Sequence, residues 1–146
     1  MQALSGISSV AHVIQLAVAP VFLLTGVGAI LSVLVNRLGR VVDRFRALEL
    51  ILSEAHEGTR ASVQSEMAIL SRRARMIHWA IGFCTGSALL VCIVIATLFV
   101  GSITGVEMPG VIATLFIAAM LALVAGLLCF LREIALATGS IHVVPR

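Results

Sequence analysis

Three long stretches without a charged side chain decide what this chain can fold into. No Asp, Glu, Lys or Arg occurs from Met1 to Asn36, from Met76 to Val106, or from Met108 to Leu131. Each is long enough for the roughly 20 residues with which a helix crosses about 30 Å of hydrocarbon. A soluble domain carries roughly 25% charged residues, whereas this chain has 12% and is 60% apolar. The expected class is an all-α integral membrane protein with three transmembrane helices.

The charge that exists is concentrated. Eight of the ten arginines and five of the seven acids fall between Asn36 and Arg75, and lysine is absent. Basic loops stay on the cytoplasmic side. The net +3 of this block, against Glu107 alone in the 102–108 loop, therefore predicts an outer N-terminus and an inner C-terminus. The first run lacks a basic leader and a cleavage site, so it reads as a span rather than a secretory signal.

Leu38, Val41, Phe45, Leu48 and Leu52 recur at spacings of 3 and 4, and so do Val63, Met67, Leu70, Ala74 and Ile77. Such a/d seams pack helix against helix. Glu57-Gly58-Thr59 supplies a break between them, with glycine as a cap and threonine as the next helix start. Folding back there pairs Leu38 with Ile77, Val41 with Ala74, Phe45 with Leu70, Leu48 with Met67 and Leu52 with Val63. The numbers in every pair add to 115. The segment thus reads as a cytoplasmic antiparallel helical hairpin between spans one and two.

The boundaries follow. Residues 1–19 read as an amphipathic interfacial helix, with Leu4, Ile7, Ala11, Ile14 and Val18 on one face and Ser5, Ser8, His12 and Gln15 on another. The alternative is one long helix kinked at Pro20. Span one covers 20–36, the hairpin 37–76, span two 77–101, span three 109–131, and a cytoplasmic tail 132–146. Proline is favoured at a first helical position, which suits Pro109 as the opening of span three. Gly82 and Gly86 form a GxxxG pattern that admits close helix approach.

The candidate sites are non-catalytic. No nucleophile stands at a working distance from a base, and the three cysteines and four histidines match no metal or redox spacing. No cofactor, metal or nucleic acid is expected. Thr25, Gly28, Ser32, Asn36, Gly39 and Asp43 recur every 3 or 4 residues as a small and polar face. Such a face serves helix packing, or lines a pore in a homo-oligomer. Asp43 has Arg40 and Arg46 at i−3 and i+3 as local charge partners. Arg37, Arg75 and Arg132 share the inner-leaflet height and are candidate contacts for anionic lipid headgroups. Glu133, at the same height, needs a partner, and Arg37, Arg40 or Arg75 at the hairpin base can supply the fork.

Arg37-Leu-Gly-Arg-Val-Val-Asp-Arg-Phe-Arg-Ala-Leu-Glu49, Leu70-Ser-Arg-Arg-Ala-Arg-Met-Ile77 and Phe130-Leu-Arg-Glu-Ile-Ala-Leu-Ala137 together resemble an uncharacterised bacterial membrane protein family, domain of unknown function 2721. The likeness runs from about Pro20 to Ala137. It implies a small three-span protein of the bacterial inner (cytoplasmic) membrane, and it transfers no activity or catalytic residue. The functional expectation is a non-enzymatic scaffold or interaction protein. It would act through its hairpin, as a homo-oligomer in contact with anionic lipid, and a cytoplasmic protein partner is compatible with this. The alternative is a homo-oligomeric ion channel lined by Thr25, Gly28, Ser32, Asn36 and Asp43.

Overall fold

The structure is a computed structural model that describes residues 2–54, 56–106 and 108–139. Glu107 and the tail from residue 140, including His142 and Arg146, lie outside the described residues. The side chains of Leu4, Ser5, Ile7 and Ser8 do so too. Three helices account for nearly all of what is described: α1 (Gln2–Glu54), α2 (Glu57–Thr104) and α3 (Pro109–Gly139). All three are long and apolar enough to cross a membrane. The described residues adopt the expected all-helical class, with three helices of membrane-spanning length and composition.

α1 runs through Pro20 without interruption for 53 residues. The helix expected over 1–19 is therefore not a separate element but part of one long helix that includes Pro20. Proline removes one backbone hydrogen bond, but breaking the helix in hydrocarbon would strand several unpaired groups at greater cost. The buried face here is Val13, Ala17 and Pro20, while Ala11, Ile14 and Val18 are exposed. Apolar periodicity mislocates the packed face because lipid, like protein, accepts apolar side chains.

The chain divides into two compact units, Met1–Ile30 with Phe83–Val124, and Leu31–Gly82 with Ala125–Arg146. In the first, Val27 of α1, Cys84, Val91 and Val94 of α2, and Ala119 and Leu123 of α3 are buried. Buried Ser87 donates its hydroxyl to the Ala119 carbonyl at 2.8 Å, joining α2 to α3. Phe22, Leu89, Ile103 and Leu121 point outward, as a surface facing hydrocarbon allows.

In the second unit the buried positions are Leu34, Val41 and Leu48 on α1, and Val63, Leu70, Ile77 and Ala80 on α2. Apart from Ala80, they recur every seven residues, the a-type spacing of a helix seam. Arg44 of α1 contacts Glu66 of α2 at 2.8 Å across 22 positions. Within one straight helix that separation would be about 33 Å at 1.5 Å per residue. The chain must reverse between them, and it does so between Glu54 and Glu57. The His56 carbonyl accepts the first amides of α2, from Thr59 at 3.0 Å and Arg60 at 3.3 Å. Glu57 adds an acid to that first turn, where the helix dipole favours one.

The break thus falls before Glu57-Gly58-Thr59, which instead forms the first turn of α2. Moving the reversal about two residues earlier displaces the pairing by about one turn. Val41 and Leu70 line one cleft, where the sequence seam sets Val41 against Ala74. Leu38, Phe45, Leu52, Met67 and Ala74 are half-buried, so all ten seam residues remain at least partly covered.

At the far end of α2, Gly105 takes a left-handed φ of 69° and donates its amide to the Gly101 carbonyl at 2.9 Å. Pro109 then opens α3, with the Met108 carbonyl accepting from Val111 and Ile112. Gly82 and Gly86 have no described atom within 4 Å of where a Cβ would stand, apart from their own helix. The GxxxG pattern therefore makes no close approach to another helix among the described residues.

Candidate functional site

The site of interest is built around Glu133. α3 continues past the expected end of span three at residue 131, reaching Gly139. Ala119, Gly126 and Glu133 are buried at seven-residue intervals along it. Glu133 therefore occupies a position whose counterparts are small core residues. Its side chain has none of its surface exposed. An ionised carboxylate there is strongly unfavourable unless paired.

Two arginines pair with it. Arg73 of α2 donates from Nε at 3.2 Å and from Nη2 at 2.9 Å, both to Oε1. Arg37 of α1 brings Nη1 to 3.3 Å from Oε2, an ion pair that lacks hydrogen-bond alignment, since Oε2 accepts no hydrogen bond from a described residue. Both arginine side chains are about one-quarter exposed, at 25% and 24%. Arg37 also lies over the Phe130 ring, its guanidinium carbon 5.3 Å from the centroid, a cation–π geometry. One carboxylate of α3 thus binds an arginine from each of the other two helices.

Beside this clamp is an open cleft of about 340 Å³, lined by Arg37, Arg40, Val41, Arg44, Leu70 and Arg73. Val41 and Leu70 are buried and form its apolar part. Arg44 donates from Nε at 3.0 Å and Nη2 at 2.8 Å to Glu66 Oε1. Arg40 makes no hydrogen bond or ion pair with a described residue.

Of the arginines the sequence offers to Glu133, the structure brings in Arg37 and leaves Arg40 and Arg75 out. Arg73 takes their place. Its signal was present: it stands three residues after Leu70 and four before Ile77, on the face that carries the seam. Arg75 and Arg132 are exposed and record no ion pair among the described residues. Thr25, Gly28, Ser32, Asn36, Gly39 and Asp43 are each exposed. Asp43 makes no ion pair with Arg40 or Arg46, so the local pairing expected for it does not form. Exposed side chains spread into water rather than fix a weak pair.

No three His, Cys, Asp or Glu side chains group as metal ligands among the described residues. The three cysteines are free thiols. No curated protein and no solved structure matches the chain. The family described as protein of unknown function (DUF2721) matches residues 17–143, most of the chain and all of the clamp, so the chain belongs to that family.

Proposed function

We propose that this membrane protein is a non-enzymatic scaffold or interaction protein of the bacterial inner membrane, acting as a homo-oligomer. Its working part is a helical hairpin over 37–76 on the cytoplasmic side, with the N-terminus outside. The observation that carries this reading is the Arg37–Glu133–Arg73 clamp. A platform for a partner must hold its shape, and a buried charge joined to two helices resists sliding because any displacement strands it. The arginine excess of the block supports the inward orientation. Protein and lipid contacts use the exposed arginines, among them Arg75 and Arg132.

A second reading is favoured by one observation. Thr25, Gly28, Ser32, Asn36 and Asp43 are all exposed in the protomer, as a pore lining contributed by several copies would be. Reconstitution into liposomes separates the two. The scaffold reading expects no ion flux above protein-free vesicles. A steady selective conductance that Asp43→Ala diminishes would replace it with the channel.

A further inference from the structure

We propose that the cleft lined by Arg37, Arg40, Arg44 and Arg73 binds a phosphate group, and that the phosphate of an anionic lipid headgroup is the source its position favours. The inference does not rest on the scaffold reading.

The first support is the charge balance. Four arginines line one cleft, and two carboxylates, Glu133 and Glu66, engage three of them. Arg37, Arg40 and Arg44 stand at i, i+3 and i+7, on one face of α1, and like charges at such spacings repel. Arg73 faces them from α2. An excess of two positive charges around a partly enclosed space is a cost to the fold unless an anion occupies it.

The second support is the pattern of donors. Arginine has five N–H donors in a rigid plane. Arg73 and Arg44 each spend Nε and Nη2 on one carboxylate oxygen, and neither Nη1 has an acceptor among the described residues. Arg40 spends none. Arg37 and Arg73 are held in place by Glu133, and Arg37 also by Phe130. Two forks held at the clamp, a third on an exposed pair and a fourth with no described partner suit a tetrahedral oxyanion, which accepts several charge-assisted hydrogen bonds at once.

The third is position. Arg37 is the first charged residue after the first apolar run, and Arg72, Arg73 and Arg75 are the last before the second. The cleft therefore stands where hydrocarbon gives way to headgroups, beside apolar Val41 and Leu70. Arginines at that level attract anionic lipid.

The test uses the full chain purified in an uncharged maltoside detergent, with thermal unfolding followed as ligand is added. The probes are short-chain phosphatidylglycerol, short-chain phosphatidylcholine, inorganic phosphate, and sodium chloride at matched ionic strength. The expected result is a saturable rise in Tm with phosphatidylglycerol, exceeding that with phosphatidylcholine. Arg40→Gln should raise the half-saturating concentration about tenfold, the value of one hydrogen bond to a charged group, without lowering the unliganded Tm. Arg44→Gln gives a second variant should Arg40→Gln disturb folding. Arg60→Gln, outside the cleft, should have no effect. A rise with inorganic phosphate of the same Arg40 dependence, to which phosphatidylglycerol adds nothing, keeps the site and assigns it to free phosphate. A rise that chloride reproduces, that Arg40→Gln and Arg44→Gln leave unmoved, or that no phosphate probe produces, overturns the proposal.

Discussion

Arg44 donates two hydrogen bonds to a single oxygen of Glu66, at 3.0 and 2.8 Å, across the reversal between α1 and α2. About half of each side chain is exposed, so the pair is a register mark more than a source of stability. Glu66→Ala should cost no more than about 1 kcal/mol, and less in high salt. The register itself is checked by paired cysteines in a background without native cysteine. Val41→Cys with Leu70→Cys should oxidise readily, and Phe45→Cys with Leu70→Cys should lag. The reverse order would restore the pairing in which numbers add to 115.

Ser87 is a buried polar residue of the first unit, its hydroxyl on the Ala119 carbonyl at 2.8 Å. Ser87→Ala should lower stability in detergent by about 1 kcal/mol, the usual net value of one hydrogen bond. Ser87→Val should cost more, because the added methyl groups enter a packed site. Equilibrium unfolding measures both.

Two glycines should answer an added methyl group with opposite signs. Gly105 has open space where a Cβ would stand but a φ of 69°, a conformation that costs an L-residue about 1–2 kcal/mol. Gly105→Ala should destabilise by that amount. Gly58 also has room, and it lies in the first turn of α2 without a left-handed φ. Gly58→Ala should stabilise by about 0.5–1 kcal/mol.

These glycines show how much of the architecture could be read from residues alone. Three charge-free runs were enough for three membrane-competent helices, because hydrocarbon leaves a lone segment few other options. The ten seam residues were legible from spacing. Their register was not, since it depends on where the chain turns: glycine at 58 signalled a break, but His56 caps the helix two residues earlier. Glu133 was legible as a charge needing a partner. Arg37 was among the candidates offered for it, whereas Arg73 was hidden among three neighbouring arginines whose facing follows from the seam. The cleft was not legible at all, because it is assembled from two helices.

Orientation is open to direct labelling. Single cysteines at Thr59 and Thr104, both exposed, should react from opposite sides of sealed cells once native cysteines are replaced. An impermeant reagent added outside should label Thr104→Cys and spare Thr59→Cys. Labelling of Thr59→Cys from outside would invert the proposed topology.

The buried carboxyl of Glu133 joins α3 to an arginine on each of the other two helices, and everything proposed for the hairpin base depends on that junction. Glu133→Gln should cost about 3 kcal/mol, the range for removing one partner of a buried pair. A double-mutant cycle in detergent unfolding isolates the contact. Coupling between Glu133→Gln and Arg73→Gln should be about 1 kcal/mol or more, as for residues in direct contact. The same cycle with Arg75→Gln, which does not reach Glu133, should stay within about 0.5 kcal/mol of zero. Equal coupling to Arg73 and Arg75, or none to Arg73, would contradict the clamp.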